Sequence, residues 1–133
     1  MKVKDLSQNI QYVSANSTMA EVAAKMANNK TGSVLVQDGF KYVGVITERD
    51  ILRKLLAMNK DPKKTMAKDV MSSPVITIDS DEDIELASDK MAKYSIRRLY
   101  VTENGRITGK VTSHKIAKNI KYLFAGGLNS SLR

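Results

Sequence analysis

Hydrophobic positions follow the same order in both halves of the chain and predict one structural unit written twice. In each half, apolar residues at helical spacing predict an amphipathic helix with one buried face. The two stretches, Met19-Val22-Ala23-Met26 and Ile84-Ala87-Ser88-Met91, align at an offset of 65 residues. After each helix, two β-rich runs flank an Asp-Gly or Asn-Gly pair, which predicts a hairpin in each half.

A short extended segment comes before each of these helices, and a second helix follows each hairpin. The extended segments are Ile10–Ser14 and Val75–Ile78, and the closing helices are Glu48–Met58 and Ser113–Leu123. Capping-box patterns, Thr18-x-x-Glu21 and Ser80-x-x-Asp83, mark the predicted starts of the first helices. The element order is therefore β-α-β-β-α, twice, which is typical of the α+β class.

The repeat sets the predicted domain organisation. The stretch GVITERDI, Gly44–Ile51, returns as GKVTSHKI, Gly109–Ile116. One repeat of about 60 residues buries too little surface to be comfortably stable, so the two small sheets are expected to pack together about a pseudo-twofold axis. The predicted boundaries are residues 1–58 for the first repeat, 59–65 for a polar linker, 66–123 for the second repeat and 124–133 for a flexible tail.

Composition and charge narrow the class of protein. The chain has no cysteine, which excludes disulfides and thiolate chemistry. It shows neither an apolar run of about 20 residues nor a signal-like start, so we expect a cytoplasmic protein with no membrane association. The net charge of +8 favours anionic partners, namely nucleic acid, an acidic membrane face or a phosphorylated small molecule, although lysines that merely solvate helix faces would give the same balance.

The first copy of the repeated turn carries candidate binding chemistry. Thr47 with Asp50 matches a capping box, and this structural interpretation suffices to explain both residues. The same turn could instead hold a ligand, because a helix N-terminus attracts phosphate and a carboxylate can accept from both hydroxyls of a ribose. In the second copy, Thr112 is kept but Lys115 replaces the acid, so that turn has lost this chemistry.

A second asymmetry lies at the start of the hairpins. The second copy has Arg97-Arg98 where the first has Gly32-Ser33. Paired arginines suit forked contacts with phosphate oxygens, whereas their structural interpretation is an exposed edge strand guarded against aggregation. One cleft could therefore combine Asp50 with the arginines, leaving Ser33 and Lys115 to a degenerate second site.

No residue set predicts an enzyme or a metal site. His114 is the one histidine and no serine has a recognisable base, while catalysis needs an oriented constellation. The main alternative is a basic module that binds nucleic acid or a protein and takes no small ligand. Only 5% of the residues are aromatic, which leaves few platforms for stacking bases.

Taken together, the repeat, the hairpins and the G-x-x-T-x-x-D turn resemble a tandem pair of cystathionine-β-synthase (CBS) domains, a Bateman module, over about residues 3 to 123. The resemblance implies a regulatory module without catalytic activity that binds AMP, ADP, ATP or a related adenosyl ligand, forms homodimers and signals to an effector protein that the sequence does not identify. It implies ribose binding by Asp50, phosphate contacts from Thr47, Arg97 and Arg98, and base contacts from five further residues. These five are Val45, Ile46, Pro74, Val75 and Ile76.

Overall fold

The computed structural model describes residues 1–120, so the predicted tail 124–133 and the end of the predicted helix Ser113–Leu123 lie outside the described residues. The strands are β1 (Tyr12–Ser14), β2 (Ser33–Asp38), β3 (Lys41–Thr47), β4 (Thr77–Asp79), β5 (Arg98–Glu103) and β6 (Arg106–Thr112). The helices are α1 (Met19–Asn28), α2 (α-helical over Glu48–Asp50, π-helical over Ile51–Leu56), α3 (Ala67–Val70), α4 (Ile84–Tyr94) and α5 (residues 113–120), with a short 3-10 helix at Val3–Leu6.

Two three-stranded sheets with their helices confirm the α+β class. The sheet orders are β1-β2-β3 and β4-β5-β6, and each sheet pairs its first two strands parallel and its last two antiparallel. The registers also repeat, because Tyr12 pairs with Leu35 in the first sheet and Thr77 pairs with Tyr100 in the second.

The chain divides into two compact units that do not coincide with the sequence repeats. The N-unit is Ile10–Ile76, and the C-unit joins Met1–Asn9 to the chain from Thr77 onward. The N-unit thus contains the segment 66–76, which begins the second repeat, while the C-unit contains the segment 1–9, which begins the first repeat.

Each unit has a core formed by the predicted helix stripe and the inner face of its sheet. In the N-unit, Met19 and Val22 of α1 are fully buried against Val34 and Ile46. In the C-unit, Ala87 and Met91 of α4 are buried, as are Leu99 and Val111 of the sheet. The predictions that Met19, Met26 and Met91 are core residues are confirmed. Strand β2 is buried over Ser33–Val36, the continuous pattern expected of a central strand covered on both faces.

A segment from the other repeat extends the sheet in each unit, and we call it the crossing segment: residues 66–76 in the N-unit and residues 1–9 in the C-unit. In the N-unit, Val45 exchanges two backbone hydrogen bonds with Ser72, at 2.9 and 2.8 Å. In the C-unit, Gln8 and Lys110 form the equivalent pair, at 2.8 and 3.0 Å. Each crossing passes over a strand glycine. A Cβ on Gly44 would lie 2.5 Å from the sulfur of Met71 and 2.9 Å from the carbonyl oxygen of Ser72. The absence of a side chain at this strand position is what lets the segment lie so close.

One local prediction and one structural alternative are wrong. Helix α4 begins at Ile84 with Asp83 as its N-cap, not at Ser80, and the carboxylate of Asp83 accepts from the ammonium group of Lys2 at 3.0 Å and makes no cap hydrogen bond. Arg98 opens the central strand of its sheet, so Arg97 and Arg98 do not guard an edge strand.

Candidate functional site

The repeated turn of the N-unit forms the predicted capping box. Strand β3 ends at Thr47, whose hydroxyl oxygen accepts from the backbone N–H of Asp50 at 3.2 Å. In return, Oδ2 of Asp50 accepts from the backbone N–H of Thr47 at 2.9 Å and from its hydroxyl at 3.2 Å. The turn therefore fixes the orientation of the carboxylate at the N-terminus of α2.

The second carboxylate oxygen of Asp50 faces two side chains that the sequence analysis missed. Oδ1 accepts from the hydroxyl of Ser72 at 2.7 Å and lies 3.2 Å from the ammonium group of Lys54. Lys54 also donates to the hydroxyl of Ser72 at 3.0 Å and to the carbonyl of Met71 at 3.3 Å. The result is a buried acid whose side chain is 8% exposed, held by a lysine that is 43% exposed.

The sequence carried a signal for only one of these partners. Lys54 stands four residues after Asp50, the spacing at which opposite charges meet on a helix. Ser72 is 22 residues away and reaches the acid only through the crossing segment. No local pattern predicts that contact.

Five residues predicted to contact the base lie in the same unit as Asp50. Val45, on β3, is half-buried. Outside that strand, Val75 and Ile76 are also half-buried, while Pro74 is exposed. Ile46 differs, because its side chain is fully buried in the core of the N-unit. Alternation along β3 directs Val45 and Ile46 to opposite faces, so only the backbone of Ile46 is available to a ligand.

The equivalent turn of the C-unit keeps half of the capping box. The hydroxyl oxygen of Thr112 accepts from the backbone N–H of Lys115 at 3.1 Å. Lys115 cannot return the hydrogen bond as Asp50 does, since an ammonium group has no acceptor. Ser33, the third residue predicted for the degenerate site, is buried in the N-unit with 1% of its surface exposed.

The two predicted arginines lie at the start of β5, the strand that pairs with β6 next to that turn. Arg97 is exposed, and the half-buried Arg98 pairs in register with Thr112 across β5 and β6. Lys110 lies on the same strand as Thr112 and pairs with Tyr100. Its pKa is lowered, mainly by burial and to a smaller extent by the nearby guanidinium of Arg98. Sequence reasoning missed Lys110, although the 65-residue offset matches it to Val45.

Neither a metal centre nor a membrane span stands out over residues 1–120. This part of the chain brings no three His, Cys, Asp or Glu residues together as a metal-binding group. No helix in it combines the length and hydropathy needed to cross a bilayer. His114 is exposed at the start of α5.

The fold and its repeated turn define a tandem-repeat regulatory module. The CBS domain family model matches residues 3–57 and again 67–122, so the chain belongs to the CBS-domain family as a tandem pair.

Relatives agree with this assignment. An uncharacterised protein of Methanopyrus kandleri is 39% identical over 114 residues, which is 84% of this chain and 58% of that relative, so the chain spans just over half of its length. The CBS domain-containing protein YhcV of Bacillus subtilis is 30% identical over 118 residues, 88% of this chain and 84% of the relative. Among solved structures, a CBS domain protein of Pyrobaculum aerophilum complexed with AMP is 27% identical with a TM-score of 0.78, covering 86% of this chain and 89% of that one.

Proposed function

We propose that this module binds an adenine nucleotide of the AMP, ADP or ATP type and senses it through the Asp50 turn. The observation that carries the proposal is the buried Asp50 carboxylate, which the backbone of Thr47 holds in one orientation. The AMP complex of the Pyrobaculum relative supports the choice of ligand class.

The hydrogen bonds of Asp50 suggest how a ribose would enter. Oδ2 is committed to the capping box, whereas the partners of Oδ1 are an exposed serine and a lysine that is 43% exposed. Both partners can turn to water, so a ribose hydroxyl can replace them without leaving the buried charge unsatisfied. The displaced Lys54 would then be free to face the phosphates of the ligand.

The remaining contacts complete the proposal. Arg97 and Arg98 supply charge-assisted hydrogen bonds to phosphate, and the apolar surface of Val45, Val75 and Ile76 receives the base. Pro74 borders this surface, and Ile46 contributes its backbone. Because Lys115 stands where the second copy needs an acid, each chain has one competent nucleotide site. Homodimer formation and an effector protein remain predictions from the family resemblance, and a cytoplasmic location remains a prediction from the sequence.

Titration calorimetry tests the proposal. Wild-type protein should bind AMP, ADP or ATP with one site per chain and a Kd below about 1 mM, a standard free energy beyond about −4 kcal/mol. Asp50→Asn keeps an acceptor for the amide of Thr47 but removes the charge, so it should weaken binding about tenfold or more. The matched control is Asp38→Asn, which changes an exposed acid of the same unit.

Two further titrations distinguish the ribose contact from the phosphate contacts. Adenosine binding should fall in Asp50→Asn and be unaffected by alanine at Arg97 and Arg98, which should weaken only the nucleotides. If no adenine nucleotide binds below about 1 mM, or if Asp50→Asn binds like Asp38→Asn, the proposal is wrong.

The net charge of +8 favours one alternative, a module that binds nucleic acid or an acidic protein. It predicts a gel shift with RNA or duplex DNA whose affinity falls steeply with salt. Such a shift with no nucleotide binding would replace the first proposal.

A further inference from the structure

The protein's own donors fill the carboxylate of Asp50. Its Oδ2 accepts from the backbone N–H of Thr47 at 2.9 Å and from the hydroxyl of Thr47 at 3.2 Å. Its Oδ1 accepts from the hydroxyl of Ser72 at 2.7 Å and lies 3.2 Å from the ammonium group of Lys54. Because a carboxylate has about four lone-pair sites, these contacts use all of them. A ligand hydroxyl must therefore replace a donor that is already there.

The two contacts at Oδ1 are the ones that a ribose can replace. Those at Oδ2 belong to the capping box, in which both partners lie on one turn of chain. At Oδ1, by contrast, Ser72 is exposed and the side chain of Lys54 is 43% exposed, so both donors can turn to water. A ribose diol brings two hydroxyl donors and matches this exchange one for one.

Lys54 also joins α2 to the crossing segment of the N-unit. Its ammonium group has three donors, and they face Oδ1 of Asp50, the hydroxyl oxygen of Ser72 at 3.0 Å and the carbonyl oxygen of Met71 at 3.3 Å. The side chains of Lys54, Asp50 and Ser72 thus form a closed triangle, in which each contacts the other two. Members of such a network support one another, so the loss of one contact weakens the rest.

The equivalent positions of the C-unit hold different side chains. The 65-residue offset matches Asp50 to Lys115 and Lys54 to Asn119. The side-chain amide of Asn119 donates to the carbonyl oxygen of Lys115 at 2.9 Å, within its own helix. The lysine therefore occurs in the copy that has the acid, which associates it with the site and not with the general architecture of the repeat.

We propose that Lys54 competes with the ribose for Asp50 and thereby regulates the nucleotide site, an inference that rests on the function proposed above. Entry of the diol replaces the ammonium group and the hydroxyl of Ser72 at Oδ1. The exchange opens the triangle, and the crossing segment loses its side-chain attachment to α2. The ligand thus favours the arrangement in which the segment is released, and such unequal binding to two states is what a sensor needs.

Calorimetry with adenosine tests the competition, because adenosine offers the ribose without a phosphate charge. Lys54→Met keeps the apolar stem and removes the ammonium group, so it should bind adenosine about two- to fivefold more tightly than wild-type protein, the range set by a partly exposed ion pair. Lys54→Arg keeps the charge and should bind adenosine like wild-type protein. The matched control is Lys60→Met, which removes an exposed lysine just beyond α2 and should change nothing.

The outcomes keep the two proposals apart. If neither wild-type protein nor Lys54→Met binds adenosine or AMP, the nucleotide proposal is wrong and this one fails with it. If wild-type protein binds adenosine and Lys54→Met binds it no more tightly than Lys60→Met does, only the competition is refuted. Adenosine binding that appears in Lys54→Met alone supports the competition, since the lysine then masks the site. Should Lys54→Met not fold, Lys54→Gln removes the charge but keeps a donor, and the same comparison applies.

Amide hydrogen exchange tests the release of the crossing segment. The backbone N–H of Ser72 donates to the carbonyl oxygen of Val45 at 2.8 Å. In wild-type protein, adenosine should speed up exchange at Ser72, because Lys54 then no longer holds this part of the segment against α2. In Lys54→Met, exchange at Ser72 should already be fast without ligand, and adenosine should add little. Slower exchange at Ser72 when adenosine binds to wild-type protein would overturn the release.

Discussion

Replacing Gly44 by alanine should detach the crossing segment of the N-unit from β3. The new Cβ would lie 2.5 Å from the sulfur and 2.9 Å from Cγ of Met71, and 2.9 Å from the carbonyl oxygen of Ser72. The methionine side chain can rotate away, but the carbonyl belongs to the backbone that pairs with Val45. The whole segment must therefore shift.

The size of the effect follows from the hydrogen bonds that the shift breaks. Val45 and Ser72 exchange two backbone hydrogen bonds, each with a net contribution of about 0.5–1.5 kcal/mol. The hydroxyl of Ser72 also donates to Asp50, a bond to a charged group that is weakened by the exposure of the serine. Alanine restricts the unfolded chain and returns about 0.4–1 kcal/mol. The broken bonds outweigh this gain, and we expect Gly44→Ala to lower the free energy of unfolding by about 1–3 kcal/mol.

Gly109→Ala is the matched control in the C-unit. There the nearest atom is Oγ of Ser7, the end of a side chain that can rotate, and the nearest backbone atom is the carbonyl oxygen of Gln8 at 3.1 Å. This substitution should lower the free energy of unfolding by less than about 1 kcal/mol, because a shift of a few tenths of an ångström relieves the contact.

Urea unfolding followed by far-UV circular dichroism measures both effects, and amide hydrogen exchange locates them. In Gly44→Ala, the amides of Val45 and Ser72 should exchange faster than in wild-type protein, and the other amides of β3 should be less affected. A loss below about 0.5 kcal/mol, or unchanged protection at Ser72, would refute the reasoning.

Two further predictions concern the C-unit. Lys115→Asp completes the second capping box by giving the amide of Thr112 an acceptor, and should raise the free energy of urea unfolding by about 0.5–1 kcal/mol; a gain no larger than that of Lys118→Asp would contradict it. Because burial and Arg98 lower the pKa of Lys110, the folded chain binds this proton less tightly than the unfolded chain, so stability should rise as the pH increases from the lowered pKa towards the ordinary value of 10.5. The difference in free energy of unfolding between wild-type protein and Lys110→Met should shrink over this pH range. A difference that stays constant would show that folding does not lower the pKa of Lys110.

Local patterns sufficed to predict most of the elements. Helix stripes such as Met19, Val22 and Met26 and the Asn104-Gly105 turn depend on neighbours within a few residues, so their periodicity survives in the sequence. The capping box of Thr47 and Asp50 is confirmed for the same reason. Its atoms come from one turn of chain.

Contacts between distant residues could not be predicted in this way. The order of strands placed Arg98 in the centre of its sheet, a fact that depends on which strand pairs with which. Ser72 meets Asp50 only because the crossing segment returns to β3. The cap at Asp83 could have been found, since the 65-residue offset matches it to Thr18, whereas Ser80 is out of step with the repeat.

The crossing segments also affect the order in which the chain can fold. Residues 1–9 form backbone hydrogen bonds with Glu82, Ser80 and Lys110, so they acquire a stable place only after the chain as far as Lys110 has been synthesised. The segment after the linker, by contrast, bonds to Ala15, Ser17 and Val45, which have all been made before it. The N-unit can therefore fold during translation, while residues 1–9, although made before it, are incorporated only after the C-unit has been synthesised. A destabilising substitution within residues 1–9 should therefore affect the C-unit sheet, which carries Arg98 and Lys110.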